Sequence, residues 1–198
     1  MDVRTAGPAA QPLLSGFGDP GTGNAGPDGV LWQAWIEDPE TRRRFEALAY
    51  RRGPGQCAYW LGAVSSTGHG KFRAGSRARA AAGPVSRIVT AHVYAYQQHY
   101  GAIPDELAGR IVVRHRCDET SCQNWEHLLP GSQPDNVDDW RVRRGRESGP
   151  LADHRGAQGR AIAIRNAIRA ALRTGADPEE AIAQAIGAGI PPYQERLF

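Results

Sequence analysis

The residues with the greatest chemical potential lie between positions 115 and 139, in the sequence HRCDETSCQNWEHLLPGSQPDNVDD. His115 stands two residues before Cys117. Cys122 and His127 then follow at intervals of five, and Asn136 comes nine residues after His127. Thiols and imidazoles bind transition metals, whereas imidazole and amide groups also serve hydrolytic chemistry. The spacing therefore suggests two sites on one short hairpin: a metal that holds the fold, and a catalytic pair beside it.

A tetrahedral zinc site is the first of these two. Cys117, Cys122 and His127 supply three ligands within eleven residues, and Cys57 is the one remaining cysteine. Four such ligands suit Zn²⁺, and a site with no open position would be structural. The alternative is a group of three buried thiols and an unrelated histidine.

The catalytic pair is formed by His115 and Asn136. The run GRIVVRHR over 109–116 predicts a strand that ends near His115, and Ser132 to Asp135 is an S-x-x-D helix start. Asn136 then falls in the first turn of a helix. A neutral imidazole could take a proton from an attacking water, and the amide oxygen could hold Mg²⁺ beside a phosphate. This pairing fits phosphodiester hydrolysis.

The length of the chain, 198 residues, is compatible with one domain and short appendages. It contains no apolar run long enough to span a bilayer, and the amino terminus lacks the apolar core of a signal peptide. Three cysteines argue against a disulfide framework. We therefore expect a cytoplasmic protein with no membrane partner.

The basic residues favour nucleic acid as a partner. Lys71 is the sole lysine, and arginine forms bidentate contacts with phosphate that lysine cannot. Basic clusters occur at 71–87, 141–146 and 160–173, although such clusters are also common on solvated faces. A β-hairpin predicted over 57–73 could lie in a DNA groove or be an ordinary surface hairpin. The candidate DNA contacts are Lys71, Arg73, Arg77, Arg79, Arg143 and Arg144.

Helices and a leader complete the first part of the chain. Residues 1–27, rich in Gly, Pro and Ala, predict a disordered leader. Asp38-Pro39 predicts a helix start, and that helix is expected to run to about Arg51. Apolar spacing predicts a helix over 86–100 with Arg87 at its start, and its histidines as packing or surface residues. His69 is predicted to be a simple turn residue.

The carboxyl-terminal part predicts a separate helical unit. A nuclease-like core over 28–146 would be followed by a polar linker, 147–158, and a helical hairpin, 159–198. Two helices joined by a Gly-containing turn could read the major groove of DNA. They could equally form a packing or dimerisation hairpin, so a homodimer is a further expectation.

These motifs together resemble the ββα-metal core of HNH and His-Cys box endonucleases. The pattern H-x-C-x4-C-x-N-x2-H-L, then G-[ST]-x2-D-N and R-R-G-R, is similar to zinc-containing enzymes of phage and homing type. An upstream W-x-G…G-x-G-[KR]-F hairpin and an A-H-x-x-A-Y helix extend the resemblance over about 57–146. One departure is Trp125, which stands where the family commonly has a turn proline. A second cysteine-rich zinc site, found in the His-Cys box homing enzymes, is absent.

The resemblance implies a zinc-stapled α+β fold and a metal-dependent endonuclease of double-stranded DNA. By this resemblance His115 would be the general base and Asn136 the ligand of Mg²⁺. Enzymes of the family usually have an arginine near the scissile phosphate, and we assign this role to Arg87. The implied structural zinc ligands are Cys57, Cys117, Cys122 and His127. The alternative function is a zinc-stabilised DNA-binding or phage accessory protein that does not cleave.

Overall fold

The computed structural model of the protein describes residues 29–75, 86–146 and 148–190. The predicted leader, 1–27, and two predicted DNA contacts, Arg77 and Arg79, lie outside these ranges. Within the ranges, helices combine with short antiparallel strands, and the predicted α+β class is confirmed. None of the helices described there is both long and apolar enough to cross a bilayer.

The elements follow one another in the order α1 (Gly29–Glu37), α2 (Pro39–Glu46), β1 (Ala49–Tyr50), β2 (Tyr59–Trp60), β3 (Ala63–Val64), β4 (Gly70–Ala74), β5 (Arg87–Thr90), α3 (Ala91–Tyr100), β6 (Val112–His115), β7 (Leu128–Gly131), α4 (Gln133–Arg143), α5 (Gly156–Thr174) and α6 (Pro178–Gly187). Strand β1 pairs with β2, and β6 pairs with β7. A third sheet has the order β3-β4-β5. Every pairing is antiparallel.

Helix α2 begins as predicted but ends earlier. The Asp38 carboxylate accepts a hydrogen bond from the Thr41 N–H at 3.0 Å, and Pro39 occupies the first turn. The prediction that this helix runs to Arg51 is wrong. The chain after α2 instead enters strand β1, which is held by its pairing with β2.

The predicted hairpin over 57–73 is built from β3 and β4. In the turn between them the Ser65 N–H donates to the His69 carbonyl at 2.8 Å, and Gly68 has a φ of 82°, which favours glycine. A Cβ at Gly68 would stand 2.6 Å from the Ala157 carbonyl oxygen, so the turn lies directly against α5. Strand β2, predicted as part of this hairpin, pairs with β1 instead.

The prediction of one helix over 86–100 is wrong in its first turn. Arg87–Thr90 forms strand β5 against β4, and helix α3 begins only at Ala91. Three successive β-branched residues follow Arg87, and β-branched residues favour a strand where a neighbouring strand offers an edge. Arg87 therefore projects from a strand and not from a helix start.

An aromatic cluster forms the larger hydrophobic core. Phe45 contacts Trp60, Phe72 and Tyr94 at ring-centroid distances of 5.4, 5.2 and 4.8 Å, and all four side chains are buried. Offset and edge-on arrangements of this kind are the favoured ones for aromatic pairs. Leu128 of β7 belongs to the same core. The core thus supports the hairpin that carries the candidate site.

Strands β6 and β7 and helix α4 form the ββα unit. His115 lies opposite Leu128 at the end of the β6–β7 ladder. Helix α4 begins with a capping box, in which Ser132 Oγ accepts from the Asp135 N–H and the Asp135 carboxylate accepts from the Ser132 N–H. The predicted helix start is confirmed, and it places Asn136 in the first turn.

Helices α5 and α6 form the predicted helical hairpin. Gly175, in the left-handed conformation, closes α5, and Asp177 caps α6 as predicted. Strand β2 contributes to the core of this hairpin, whose buried members are Tyr59, Ile164, Ile168 and Ile182. The predicted boundaries at 28–146 and 159–198 remain predictions.

A buried ion pair joins α5 to the loop between β6 and β7. The Arg160 guanidinium donates to the Glu119 carboxylate at 2.7 Å and lies 3.3 Å from that of Asp153. Their side chains are 5%, 2% and 0% exposed, respectively. Because charges removed from water must be paired, this contact fixes the loop relative to α5.

We predict that Arg160→Met destabilises the protein by about 3–5 kcal/mol, because Glu119 would stay buried without a counter-charge, whereas Asp153 keeps its ion pair with Arg155. Urea unfolding measures the difference. Arg169 is exposed on the same helix and serves as the control. Arg169→Met should change the free energy of unfolding by less than about 0.5 kcal/mol. Equal effects of the two substitutions would contradict the prediction.

Candidate active site and metal centre

Two of the three predicted catalytic residues, His115 and Asn136, line one pocket. His115 ends β6, Asn136 lies in the first turn of α4, and both border a pocket of about 280 Å³. Asp118 and His69 form other parts of its wall. The ββα unit therefore brings together two side chains that are 21 positions apart in the sequence.

A single hydrogen bond sets the tautomer of His115. Its Nε2 lies 3.0 Å from the backbone carbonyl oxygen of Cys122. Since a carbonyl can only accept, Nε2 carries the proton, and in the neutral ring Nδ1 keeps its lone pair. Nδ1 is therefore the atom that can take a proton, and the carbonyl would stabilise the imidazolium that results.

Two arginines offset the acidic residues around the pocket. Arg143 lies 3.3 Å from the Asp118 carboxylate and 2.9 Å from that of Asp139. Arg114, on β6, pairs with Asp139 as well. Burial raises the pKa of Asp118. The pocket therefore carries little uncompensated negative charge, which suits an anionic ligand such as a phosphodiester.

The four predicted zinc ligands meet at one point. The three cysteine Sγ atoms and one ring nitrogen of His127 all lie within 4.8 Å of one another. His127 Nδ1 is 3.6 Å from Cys57 Sγ and 3.5 Å from Cys122 Sγ. Zinc bonds of about 2.3 Å to sulfur and about 2.0–2.1 Å to nitrogen, at tetrahedral angles, separate the two atoms by about 3.6 Å. The donor set therefore matches the dimensions of a tetrahedral zinc ion.

The three thiols ionise unequally. Hydrogen bonds from Cys122 and Cys57 lower the pKa of Cys117 to about 2. The contact with Cys117, together with burial, raises the pKa of Cys57 to about 12 and also raises that of Cys122. Neighbouring thiolates repel one another, so a bound cation is required for all three to ionise at neutral pH.

Contacts behind the ligands orient them. His127 Nε2 lies 3.1 Å from the Gly55 carbonyl oxygen, so it donates there and Nδ1 faces the sulfurs with its lone pair. The Asn124 N–H donates to Cys122 Sγ at 3.4 Å. Asn124 Nδ2 also donates to the Gln56 carbonyl at 2.8 Å, which holds the segment before Cys57 beside the loop. Such partners are typical of metal-ligating histidine and cysteine.

The centre of the chain has a recognisable family relationship. Residues 89–137 match the HNH endonuclease family model. This HNH segment runs from the end of β5 to the first turn of α4. It includes His115 and Asn136 and three of the four predicted zinc ligands, whereas Arg87 and Cys57 lie outside it. The resemblance to HNH endonucleases is confirmed for these residues.

A phage protein is similar to part of the chain. The chain is 34% identical over 92 residues to Protein 7.7 of Escherichia phage T7. The alignment covers 46% of this chain and 59% of the phage protein, so the chain spans about three fifths of that relative's length. No solved structure matches the chain.

The predicted DNA contacts that the structure describes lie on either side of the HNH segment in the sequence. Lys71 on β4 and Arg87 on β5 line a second pocket of about 670 Å³, which shares His69 with the first. Arg73 donates to Ser86 Oγ at 3.4 Å. The Arg144 guanidinium lies 4.9 Å from the Trp140 ring centre, a cation–π contact, and Arg143 is held in the ion pairs described above. Their contacts with DNA remain predictions.

Two histidines near the catalytic candidate were not predicted as site residues. The ring of His92, in the HNH segment, lies 4.5 Å from that of His115, and the ring of His69 lies 5.8 Å away. His92 is buried, as its position on the apolar face of α3 suggests. His69 comes from the hairpin turn, and no local sequence signal indicates that this turn approaches β6.

Trp125, the residue that departs from the family pattern, has a clear packing role. Its ring stacks on that of His99 at 3.6 Å with an interplanar angle of 9°. Residues Trp125–His127 form a short 3₁₀ turn that begins at Asn124, whose side chain accepts from the Glu126 N–H. The turn therefore forms without the proline that the family commonly has at this position, and the Trp125 side chain packs against α3 instead.

Proposed function

We propose that the protein is a metal-dependent DNA endonuclease that hydrolyses phosphodiester bonds. The observation that carries this proposal is that His115 and Asn136 border one pocket, with His115 Nδ1 fixed as the basic atom by the Cys122 carbonyl. The match of this segment to the HNH endonuclease family supports it.

His115 would act as the general base. Nδ1 removes a proton from a water molecule as its oxygen bonds to phosphorus, while the bond from phosphorus to the 3′ oxygen breaks. The 3′ oxygen leaves with the bonding electrons and takes a proton from solvent water, so the products would be a 5′ phosphate and a 3′ hydroxyl. The hydrogen bond from Nε2 to the Cys122 carbonyl holds the ring in place and strengthens when the ring becomes charged.

Asn136 would hold a divalent cation such as Mg²⁺ through its amide oxygen. When bound, this ion supplies charge stabilisation at the phosphate and at the leaving oxygen. One protein oxygen holds Mg²⁺ weakly, so water and DNA would complete its coordination. The amino-terminal end of α4 contributes a positive field at the same place, which favours the phosphate.

Cys57, Cys117, Cys122 and His127 would hold Zn²⁺ as a closed structural site. The sulfur–nitrogen separations support this assignment, as does the carbonyl contact that leaves His127 Nδ1 facing the thiols. Cys122 would then connect the two sites, since its thiol binds zinc while its carbonyl orients His115.

DNA would lie across the β4–β5 side of the site. Arg87 and Lys71 line the pocket that meets the catalytic pocket at His69, and we propose that Arg87 contacts the scissile phosphate. Arg144 at the end of α4 would contact the backbone farther along. A homodimer formed through α5 and α6 stays a prediction.

Plasmid cleavage tests the proposed function. Supercoiled double-stranded DNA incubated with the zinc-loaded protein and Mg²⁺ should become nicked or linear, and the same mixture without divalent cation should not change. If neither product forms with Mg²⁺ or Mn²⁺ over a range of concentrations, the nuclease proposal is wrong. DNA binding without cleavage in that experiment would support the non-cleaving alternative.

A further inference from the structure

Three imidazoles from separate elements converge beside the catalytic pocket, whose wall includes two of them, His69 and His115. His69 comes from the hairpin turn, His92 from α3 and His115 from the end of β6. The rings of His69 and His92 are 5.0 Å apart, and one nitrogen from each of the three rings lies within 4.8 Å of the others. This cluster shares no residue with the thiol-rich site, which consists of Cys57, Cys117, Cys122 and His127.

Each of the three rings has its other nitrogen occupied. His92 Nε2 lies 3.0 Å from the Val113 carbonyl oxygen, and His115 Nε2 lies 3.0 Å from that of Cys122. His69 Nδ1 contacts Thr67 Oγ1 at 2.9 Å. A ligating histidine characteristically makes this kind of contact behind the metal, because it fixes the ring and its tautomer. The two carbonyls can only accept, which leaves lone pairs on His92 Nδ1 and His115 Nδ1. The Thr67 hydroxyl can accept from His69 Nδ1, and in that tautomer His69 Nε2 carries the third lone pair.

His92 Nδ1 is otherwise difficult to explain. The side chain is buried, and this nitrogen has no hydrogen-bond partner among the described residues. A buried polar atom left without a partner destabilises the folded state, because it has lost its hydrogen bond to water. A bound cation would supply the missing partner.

Protons compete weakly for the lone pairs of His69 and His92. Burial lowers the pKa of His69 to about 4, and burial holds that of His92 well below its usual range. Neutral imidazole is the form that binds metals. These two rings are therefore available as ligands at neutral pH.

We propose that His69, His92 and His115 form a second metal site, which binds a transition-metal ion such as Zn²⁺, Co²⁺ or Ni²⁺. Three imidazoles and an open position suit these ions, whereas Mg²⁺ prefers oxygen ligands. Nitrogens around a tetrahedral ion lie about 3.4 Å apart, so binding draws the three rings together by up to about 1.5 Å. His69 lies in a turn, where such a shift is easiest.

Occupancy of this site would inhibit the enzyme. His115 Nδ1 cannot bind a metal and accept a proton at the same time, so transition-metal ions and catalysis compete for one lone pair. This consequence rests on the proposed nuclease function, whereas metal binding itself does not. The two are therefore tested separately.

Cobalt titration tests the binding. The protein is first loaded with one equivalent of Zn²⁺, which the thiolate site retains against Co²⁺ because zinc binds more tightly. Added Co²⁺ should then bind as a further equivalent, with visible absorption bands but without the near-ultraviolet band of a cobalt–thiolate bond. Absence of uptake, or a cobalt–thiolate band in its place, would overturn the proposal.

Matched variants locate the site. His69→Gln should weaken Co²⁺ binding by at least about 100-fold, since even partners behind a ligand are worth about 10–100-fold. The exposed His154 is the control, and His154→Gln should leave the affinity unchanged. Retained binding in His69→Gln, or lost binding in His154→Gln, would overturn the assignment. The zinc content of each variant reports whether it has folded.

Two measurements on the wild-type protein need no variant. X-ray absorption at the cobalt edge should show three imidazole nitrogens, and a shell with sulfur or one imidazole would overturn the proposal. Excess Zn²⁺ should also inhibit Mg²⁺-dependent plasmid cleavage. If the protein never cleaves, the nuclease proposal fails while the cobalt result still decides the metal site.

Discussion

Replacing His115 with alanine is expected to lower the rate of Mg²⁺-dependent plasmid cleavage by about 10²–10⁴-fold, the usual contribution of a positioned general base. The substitution removes the lone pair at Nδ1, and water would have to lose its proton to solvent. The rate is measured as loss of supercoiled plasmid under conditions in which protein exceeds DNA, so that the cleavage step is observed.

Two controls separate a chemical role of His115 from a structural one. His154→Ala, an exposed histidine outside the pocket, should cleave at the wild-type rate. Added imidazole should restore part of the activity of His115→Ala, because the pocket of about 280 Å³ leaves space where the ring stood. If His115→Ala cleaves within about threefold of the wild-type rate, His115 is excluded as the base, since a positioned general base contributes far more.

The local part of the site could be predicted from the sequence. The side chains of Ser132 and Asp135 form the capping box that predicts the start of α4, and the β-branched run before His115 predicts β6. Cys57 is sixty residues upstream of Cys117, yet it could be assigned because it is the one cysteine left over. Signals of these kinds depend on neighbouring residues or on simple counting.

Features that depend on tertiary contacts could not be predicted in the same way. Arg87–Thr90 has apolar spacing compatible with a helix, and only the edge offered by β4 makes it a strand. His69 reaches His115 because Gly68 allows its turn to lie against α5. Glu119 and Arg160 are 41 positions apart, and each alone reads as an ordinary surface charge.

The loop between β6 and β7 connects all parts of the candidate site. Its cysteines belong to the thiol-rich cluster, its Cys122 carbonyl orients His115, and its Glu119 binds α5 through Arg160. A change in the loop would therefore alter the orientation of His115, the thiol-rich cluster and the packing of the C-terminal helices together. The position of His115 thus depends on whatever stabilises this loop.

Removing one ligand of the thiol-rich site should have the largest effect on stability. We expect Cys122→Ser to lose zinc and to be largely unfolded at 25 °C. Structural zinc contributes about 10–16 kcal/mol in small zinc-dependent folds, which is as large as the total stability of about 5–15 kcal/mol typical of a protein. Cys122 is also fully buried, so the serine hydroxyl would meet a space shaped for a larger, softer atom. Elemental analysis gives the zinc content, and circular dichroism gives the unfolding transition.

Wild-type protein and a neighbouring substitution provide the controls for Cys122→Ser. Stripping zinc from the wild-type protein with a chelator should unfold it in the same way, and added Zn²⁺ should refold it. Added Zn²⁺ should not refold the Cys122→Ser variant. Glu126→Gln alters an exposed side chain in the same loop without touching a ligand, and it should keep one zinc ion and the wild-type transition. If Cys122→Ser instead retains one zinc ion and unfolds at the wild-type temperature, then Cys122 is not a zinc ligand and the stability of the hairpin does not depend on its thiol.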